Sequence, residues 1–190
     1  IEEWVFHQVF AALREIRRIQ PHFQMSINLS PVHLLHKDFN AQNVAAQLRE
    51  HGLPGDAVVL EMTEGIMMEM NDELHRRLKA LRDSGINLAM DDFGTGYSSL
   101  SYLHQFDFQL LKIDQSFVRT LSPKSRHAAL CEAIISMGHA LGMQVVAEGI
   151  ESQEHFNFFS QRGCDFGQGY FISYPSSLDA LKRMLTEGEI

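Results

Sequence analysis

A parallel α/β fold, and within that class a (β/α)8 TIM-like barrel, follows from how apolar runs and helical patterns alternate along the 190 residues. Six short strand-like runs are separated almost everywhere by helical stretches, the signature of βα units on a parallel sheet. No GxGxxG or Walker loop follows any strand, which weakens the open nucleotide-binding sheets. Polar residues recur at the C-terminal ends of the runs, where barrel enzymes gather their active sites. A full barrel has eight strands and typically about 250 residues, and this sequence opens on a helix. The reading is a single domain over residues 1–190 whose N-terminal strands lie outside this chain.

The elements follow in order. Val5, Val9, Leu13 and Ile16 recur at helical spacing and predict a helix over residues 1–19, which Pro21 ends. Phe23 to Asn28 reads as a short strand, and Ser30-Pro31 as the start of a helical region whose longer piece runs from Ala41 to His51. After Gly52, Pro54 and Gly55, the run Ala57 to Met62 is the next strand, and Asn71 to Ser84 the next helix. Ile86 to Asp91 is a strand that delivers two adjacent carboxylates into a loop with two glycines. Strands at Phe108 to Ile113, Met143 to Ala147 and Asp165 to Phe171 alternate with helices at Pro123 to Leu141, Gln153 to Arg162 and Leu178 to Thr186. The methionines Met62, Met90 and Met143 fall on strand-like runs and read as core. Phe156, Phe158 and Phe159 read as the packing face of an outer helix, and Cys131 as a buried small hydrophobe.

Composition removes several function classes. With 45% hydrophobic and 21% charged residues, the chain is an ordinary globular domain. No apolar run reaches the length of a membrane span, and Glu2, Glu3 and Trp4 replace the basic start of a signal peptide, so no membrane contact is expected of this segment. Two cysteines, Cys131 and Cys164, form no CxxC pair and suit a reducing, cytoplasmic setting. The net charge of -8 gives no footprint for duplex nucleic acid. An acidic protein can still bind a phosphodiester when metal ions supply the positive charge, so a nucleotide ligand would be small and metal-assisted. Ten histidines form no HExxH or HxH pair, and His33 and His36 read as partly exposed structural residues.

The strand ends carry Asn28, Glu61, Asp91 with Asp92, Lys112 with Asp114, Glu148 and Gln168. Adjacent strand residues point to opposite faces, so Asp91 and Asp92 share a pocket only if the strand bends at Asp92. Gly94 and Gly96 allow the loop behind them to turn tightly. Carboxylate and amide oxygens suit hard divalent cations, and two such ions about 3.5–4 Å apart need several oxygen ligands, one of them bridging. Asp91 is the natural bridge, with Asn28 and Glu61 on one ion and Asp92 and Glu148 on the other. Lys112 would orient the attacking water or stabilise phosphate charge.

At these residues the sequence resembles the EAL-domain family of cyclic di-GMP phosphodiesterases, which act on a bacterial second messenger. The matching pieces are Asn28-Leu29-Ser30, Glu61-Met62-Thr63-Glu64, Asp91 through Ser98, Lys112-Ile113-Asp114, Ala147-Glu148-Gly149-Ile150-Glu151 and Gln168-Gly169-Tyr170. The resemblance implies a barrel that hydrolyses cyclic di-GMP to linear pGpG with two Mg2+ or Mn2+ ions. It implies Asn28, Glu61, Asp91, Asp92 and Glu148 as metal ligands and Lys112 as the water-positioning group. Glu151 is similar to the residue that braces the glycine loop, and Asp114, Gln168 and Pro175 are candidates for the substrate side. The loop Phe93, Gly94, Thr95, Gly96, Tyr97, Ser98 resembles the element that links the metal site to homodimer formation. Regulatory domains upstream, and a membrane anchor in the parent protein, also fit the family. The Glu-Ala-Leu signature, whose Glu is a family metal ligand, is absent from the 190 residues. The alternative function is a non-catalytic cyclic di-GMP receptor that passes a signal to a partner.

Overall fold

The computed structural model describes residues 2–69, 71–96, 103, 106–122 and 125–188. Its helices are α1 (Glu2–Ile16), α2 (Pro31–Leu35), α3 (Ala41–Glu50), α4 (Asp72–Asp83), α5 (Gln115–Arg119), α6 (Arg126–Ala140), α7 (Gln153–Gln161) and α8 (Leu178–Glu187). The strands are β1 (Met25–Asn28), β2 (Val58–Thr63), β3 (Asn87–Phe93), β4 (Leu110–Ile113), β5 (Gln144–Glu148) and β6 (Phe166–Gln168). All six predicted strands are present, and the strand–helix alternation is that of the α/β class. The chain divides into two compact units, one of Ile1–Glu61, Met70–Asn87 and Pro175–Ile190, the other of Met62–Glu69 and Leu88–Tyr174. No helix among the described residues is long and apolar enough to cross a membrane.

In the first unit, α1 buries Phe6, Phe10, Leu13 and Ile16, while Val5 and Val9 are only half-buried. The apolar stripe is therefore rotated from the spacing read in the sequence, because the two phenylalanines offer more area to bury than the valines. Ser30 caps α2 by accepting the Val32 N–H, and Pro31 occupies the first turn, where a missing N–H costs nothing. Asn40 and Asn71 cap α3 and α4 in the same way, each cap stabilising its helix by about 1 kcal/mol. α4 buries Leu74, Leu78 and Leu81, one face at helical spacing. β1 and β2 pair in parallel, in a register that sets Asn28 beside Glu61. The Leu29 N–H donates to the Glu61 carbonyl at 2.8 Å and so extends that pairing past the strand end.

In the second unit, β3, β4, β5 and β6 pair in parallel in chain order. Leu88, Met90, Leu111, Ile113, Val145 and Ala147 are buried along β3, β4 and β5, with Phe159 of α7 and Cys131 of α6. Burial pushes both thiols, Cys131 and Cys164, up to about 11, so neither is a reactive thiolate at neutral pH. Of the three phenylalanines of α7 only Phe159 is buried; Phe156 is 42% exposed and packs its ring against Phe171. β6 is three residues long where the sequence predicted seven, and all three are exposed. Directly after it, Gly169 runs against Ile150: a Cβ there would lie 2.2 Å from the Ile150 carbonyl oxygen. Only glycine permits that approach.

Candidate metal and catalytic site

The ends of β3, β4 and β5 carry the densest charge in the second unit. β3 loses register with β4 between Met90 and Phe93, and Asp92 adopts φ 54, a left-handed conformation unusual for a residue with a Cβ. That bend cancels the alternation of the strand, so carboxylate oxygens of Asp91, Asp92 and Glu148 lie within 4.8 Å of one another. The bend on which a shared pocket depended is present. Asp91 is held in place by the Asp92 N–H, which donates to its Oδ1 at 3.0 Å.

Lys112, on β4, reaches into this cluster. Its Nζ lies 3.1 Å from Asp91 Oδ1 and 2.7 Å from Glu148 Oε1, with only 5% of the side chain exposed. Apolar neighbours make β4 a buried strand, and the register Lys112↔Val146 puts the lysine two residues short of Glu148 on the next strand. The Asp114 carboxylate, also buried, caps α5 by accepting the Ser116 N–H at 3.0 Å and bonds the Ser116 hydroxyl as well. Burial, then the charges of Asp91 and Asp114, push the Asp92 carboxyl above its ordinary range, and Lys112 only partly offsets them. Asp91 and Glu148 pair with the Lys112 ammonium, and Asp92 and Asp114 interact beside them.

This donor set fits a hard divalent cation. Asp91, Asp92 and Glu148 each offer a carboxylate oxygen, the chemistry that Mg2+, Ca2+ and Mn2+ prefer. Additional positive charge there would also relieve the repulsion that raises Asp92.

The glycine loop that follows β3 is fixed by Glu64, a residue to which the sequence reading gave no role. Its Oε2 accepts the Gly94 N–H at 3.2 Å and the Gly96 N–H at 3.1 Å, and Glu64 is 5% exposed. Gly94 has φ 97, and a Cβ there would come within 3.0 Å of the Phe117 ring, so both the turn and the packing require glycine. Glu151, which the sequence offered as the brace of this loop, instead pairs with Arg119 at 3.0 Å. The correction has a simple cause: Glu151 follows β5 and meets α5, whereas Glu64 leaves β2 in the turn directly facing the loop amides. The available signal was its place three residues after Glu61 in the Glu61-Met62-Thr63-Glu64 motif. Of the loop residues named from the sequence, Tyr97 and Ser98 lie outside the described residues.

The remaining candidates are distributed as follows. Gln168, exposed on β6, shares with Glu148, Glu151 and Tyr170 a recess of about 210 Å3 in the second unit. Asn28 and Glu61 stand side by side at the paired ends of β1 and β2 in the first unit, Asn28 exposed and Glu61 8% exposed. Pro175, exposed, also falls in the first unit and joins no described cluster. His33 packs edge-on against Phe39, and His36 meets Asp38 at 3.5 Å.

Comparison with known proteins agrees with this geometry. The EAL domain family matches residues 1–175. The cyclic di-GMP phosphodiesterase RocR of Pseudomonas aeruginosa is 34% identical over 171 residues, 90% of this chain and 43% of that protein. Among solved structures, the EAL enzyme Bd1971 in its cAMP-bound form superposes with a TM-score of 0.91 at 35% identity, over 97% of this chain and 52% of that one. Klebsiella pneumoniae BlrP1, solved as a manganese and cyclic di-GMP complex, gives a TM-score of 0.79 at 32% identity, over 90% of this chain and 44% of that one. The curated relatives are much longer, and the chain spans from 20% to 43% of their length. The match over nearly the whole chain, with structural likeness to TIM-barrel-like EAL enzymes, shows that this chain belongs to the EAL domain family.

Proposed function

We propose that this chain carries the catalytic centre of a phosphodiesterase that hydrolyses cyclic di-GMP to linear pGpG with two Mg2+ or Mn2+ ions. The observation that carries the proposal is the group of buried Asp91 and half-buried Asp92 and Glu148 gathered beside Lys112. Family relatives named as cyclic di-GMP phosphodiesterases, and a neighbour solved with manganese and the dinucleotide, support the substrate and the metal.

Asp91, Asp92 and Glu148 would hold the ions, and we assign Asn28 and Glu61 as further oxygen ligands. Divalent cations bound there would neutralise phosphate charge and make water a better nucleophile at neutral pH. The chain's own groups then have distinct tasks. Lys112, fixed between two carboxylates, presents a localised positive charge that can hold the attacking water and meet charge developing on the phosphoryl oxygens. Water adds its oxygen to phosphorus as the bond to the 3′ oxygen breaks, and the water's proton ends on that 3′ oxygen, which gives the linear product. Glu64 keeps the loop after Asp92 in one conformation and is a positioning residue. Gln168 and Asp114 are assigned to the substrate side. The length of the relatives supports further domains, which we assign to regulation upstream of this one.

The test is incubation of cyclic di-GMP and Mn2+ with the native-length protein, followed by chromatography, with Asp91→Asn as the comparison. Appearance of pGpG that the substitution abolishes supports the proposal. Binding of the dinucleotide without cleavage contradicts it and favours a receptor.

A further inference from the structure

We propose that a basin of arginines on the first unit binds a small, multiply charged phosphoryl anion, independently of the carboxylate site. Arg14, Arg17, Arg18, Arg49 and His51 line an open basin of about 610 Å3 with Glu50 as its carboxylate. These four arginines are a quarter of the sixteen lysines and arginines in a chain of net charge -8.

Of the seven arginines outside the basin, five close on acids: Arg76 and Arg77 on Glu73, Arg82 on Asp83, Arg119 on Glu151 and Arg162 on Glu132. In the basin Arg17 donates to the Phe23 carbonyl at 2.8 Å, which fixes its guanidinium, while Arg14, Arg18 and Arg49 are exposed and form no ion pair among the described residues. Arg14 and Arg49 each occupy the last turn of a helix, α1 and α3, where a cation meets the helix dipole. The dipole explains each position singly; it does not explain why two helix ends and the turn after α1 bring four guanidiniums to one concavity. Glu50 in the lining and Glu15 beside Arg18 supply two negative charges against four guanidiniums, which leaves net positive charge to repel itself or to meet an anion. Guanidinium forks match phosphate oxygens two at a time, which selects a phosphoryl anion over a halide. The lining holds no exposed large apolar side chain to enter a bilayer, and the overall negative charge opposes an anionic membrane surface.

The test is calorimetric titration of the metal-free chain with tripolyphosphate, in the presence of a chelator so that the carboxylate site is left out. Saturable one-to-one binding is expected, weakened roughly tenfold or more in Arg14→Ala/Arg18→Ala/Arg49→Ala, since charge-assisted bonds to the anion are lost. If that variant does not fold, the single reversal Arg49→Glu takes its place with the same expected direction. Vesicles containing phosphatidic acid form the second arm and are expected to sediment without the protein. Absence of saturable tripolyphosphate binding, equal binding by wild type and variant, or arginine-dependent capture by the vesicles alone would overturn the proposal.

Discussion

Helix α4 and the ends of β3, β4 and β5 are both rich in charge, and they manage it in opposite ways. On α4, Glu73 meets Arg76 and Arg77, and Asp83 meets Lys79, each at one helical turn; Arg77 is partly covered and the other partners are open to water. Acid and base are matched there, solvent screens both, and the arrangement contributes little beyond solubility. At the strand ends Asp91 and Glu148 pair with Lys112 while Asp92 and Asp114 add negative charge beside them; Asp91, Asp114 and Lys112 are buried, Asp92 and Glu148 half-buried. Such an imbalance destabilises the metal-free protein and creates affinity for cations. A surface that only needs to be wet balances its charges locally; a surface that must capture metal leaves negative charge uncompensated.

The contrast can be broken most forcefully at Lys112. Lys112→Ala is expected to lower kcat by roughly 10²–10³ with a much smaller change in KM, as for loss of one preorganised charge in a catalytic site. Steady-state kinetics on cyclic di-GMP checks this, and a change confined to KM would assign the lysine to binding. Glu64→Gln retains a hydrogen-bond acceptor but loses its charge, and a reduction of about 10–100-fold in activity or metal affinity is expected, as for groups that orient ligands from behind. Activity equal to wild type would remove Glu64 from the positioning machinery.

Asp92→Asn sharpens the comparison through pH. The folded Asp92 carboxyl binds its proton more tightly than the unfolded one, whose ordinary value is 3.8. Its contribution to stability is therefore complete below that value and is lost as pH rises through the higher folded one. Without metal, Asp92→Asn should melt above wild type at neutral pH, and the gap should close on acidification toward pH 3.8. With Mn2+ present the order should reverse, because the wild type gains a ligand that the variant lacks. Thermal melts with and without chelator measure both. The smallest effect is expected on α4, where Asp83→Asn should leave both melting and turnover unchanged, since Asp83 and its partner Lys79 both stay solvated.

Much of this was legible in the residue order, for identifiable reasons. Strand ends declare themselves when an apolar run stops at an acid, so Glu61, Asp91 and Glu148 could be read directly. Asn71 and Ser30 announced their helices because capping is local chemistry. Less could be read where the decisive contact spans distance in sequence. Glu64 acts 30 and 32 residues away, on two backbone amides, and no spacing rule links them. α5 has five residues, too few for helical periodicity to show, although Asp114 at its cap was visible as an acid. The rotation of α1 toward Phe6 and Phe10 was hidden because valine and phenylalanine stripes overlap at helical spacing. Asp92 lay between these cases: the requirement for a bend was deducible, and φ 54 was not.

The central claim is that the strand-end carboxylates bind divalent metal, and calorimetric titration of the metal-free protein with Mn2+ tests it most directly. Saturable binding that Asp91→Asn weakens by more than about tenfold is the expected result, since loss of a direct ligand should cost at least as much as loss of an orienting group. Equal Mn2+ binding by wild type and Asp91→Asn, or none by either, would contradict the account.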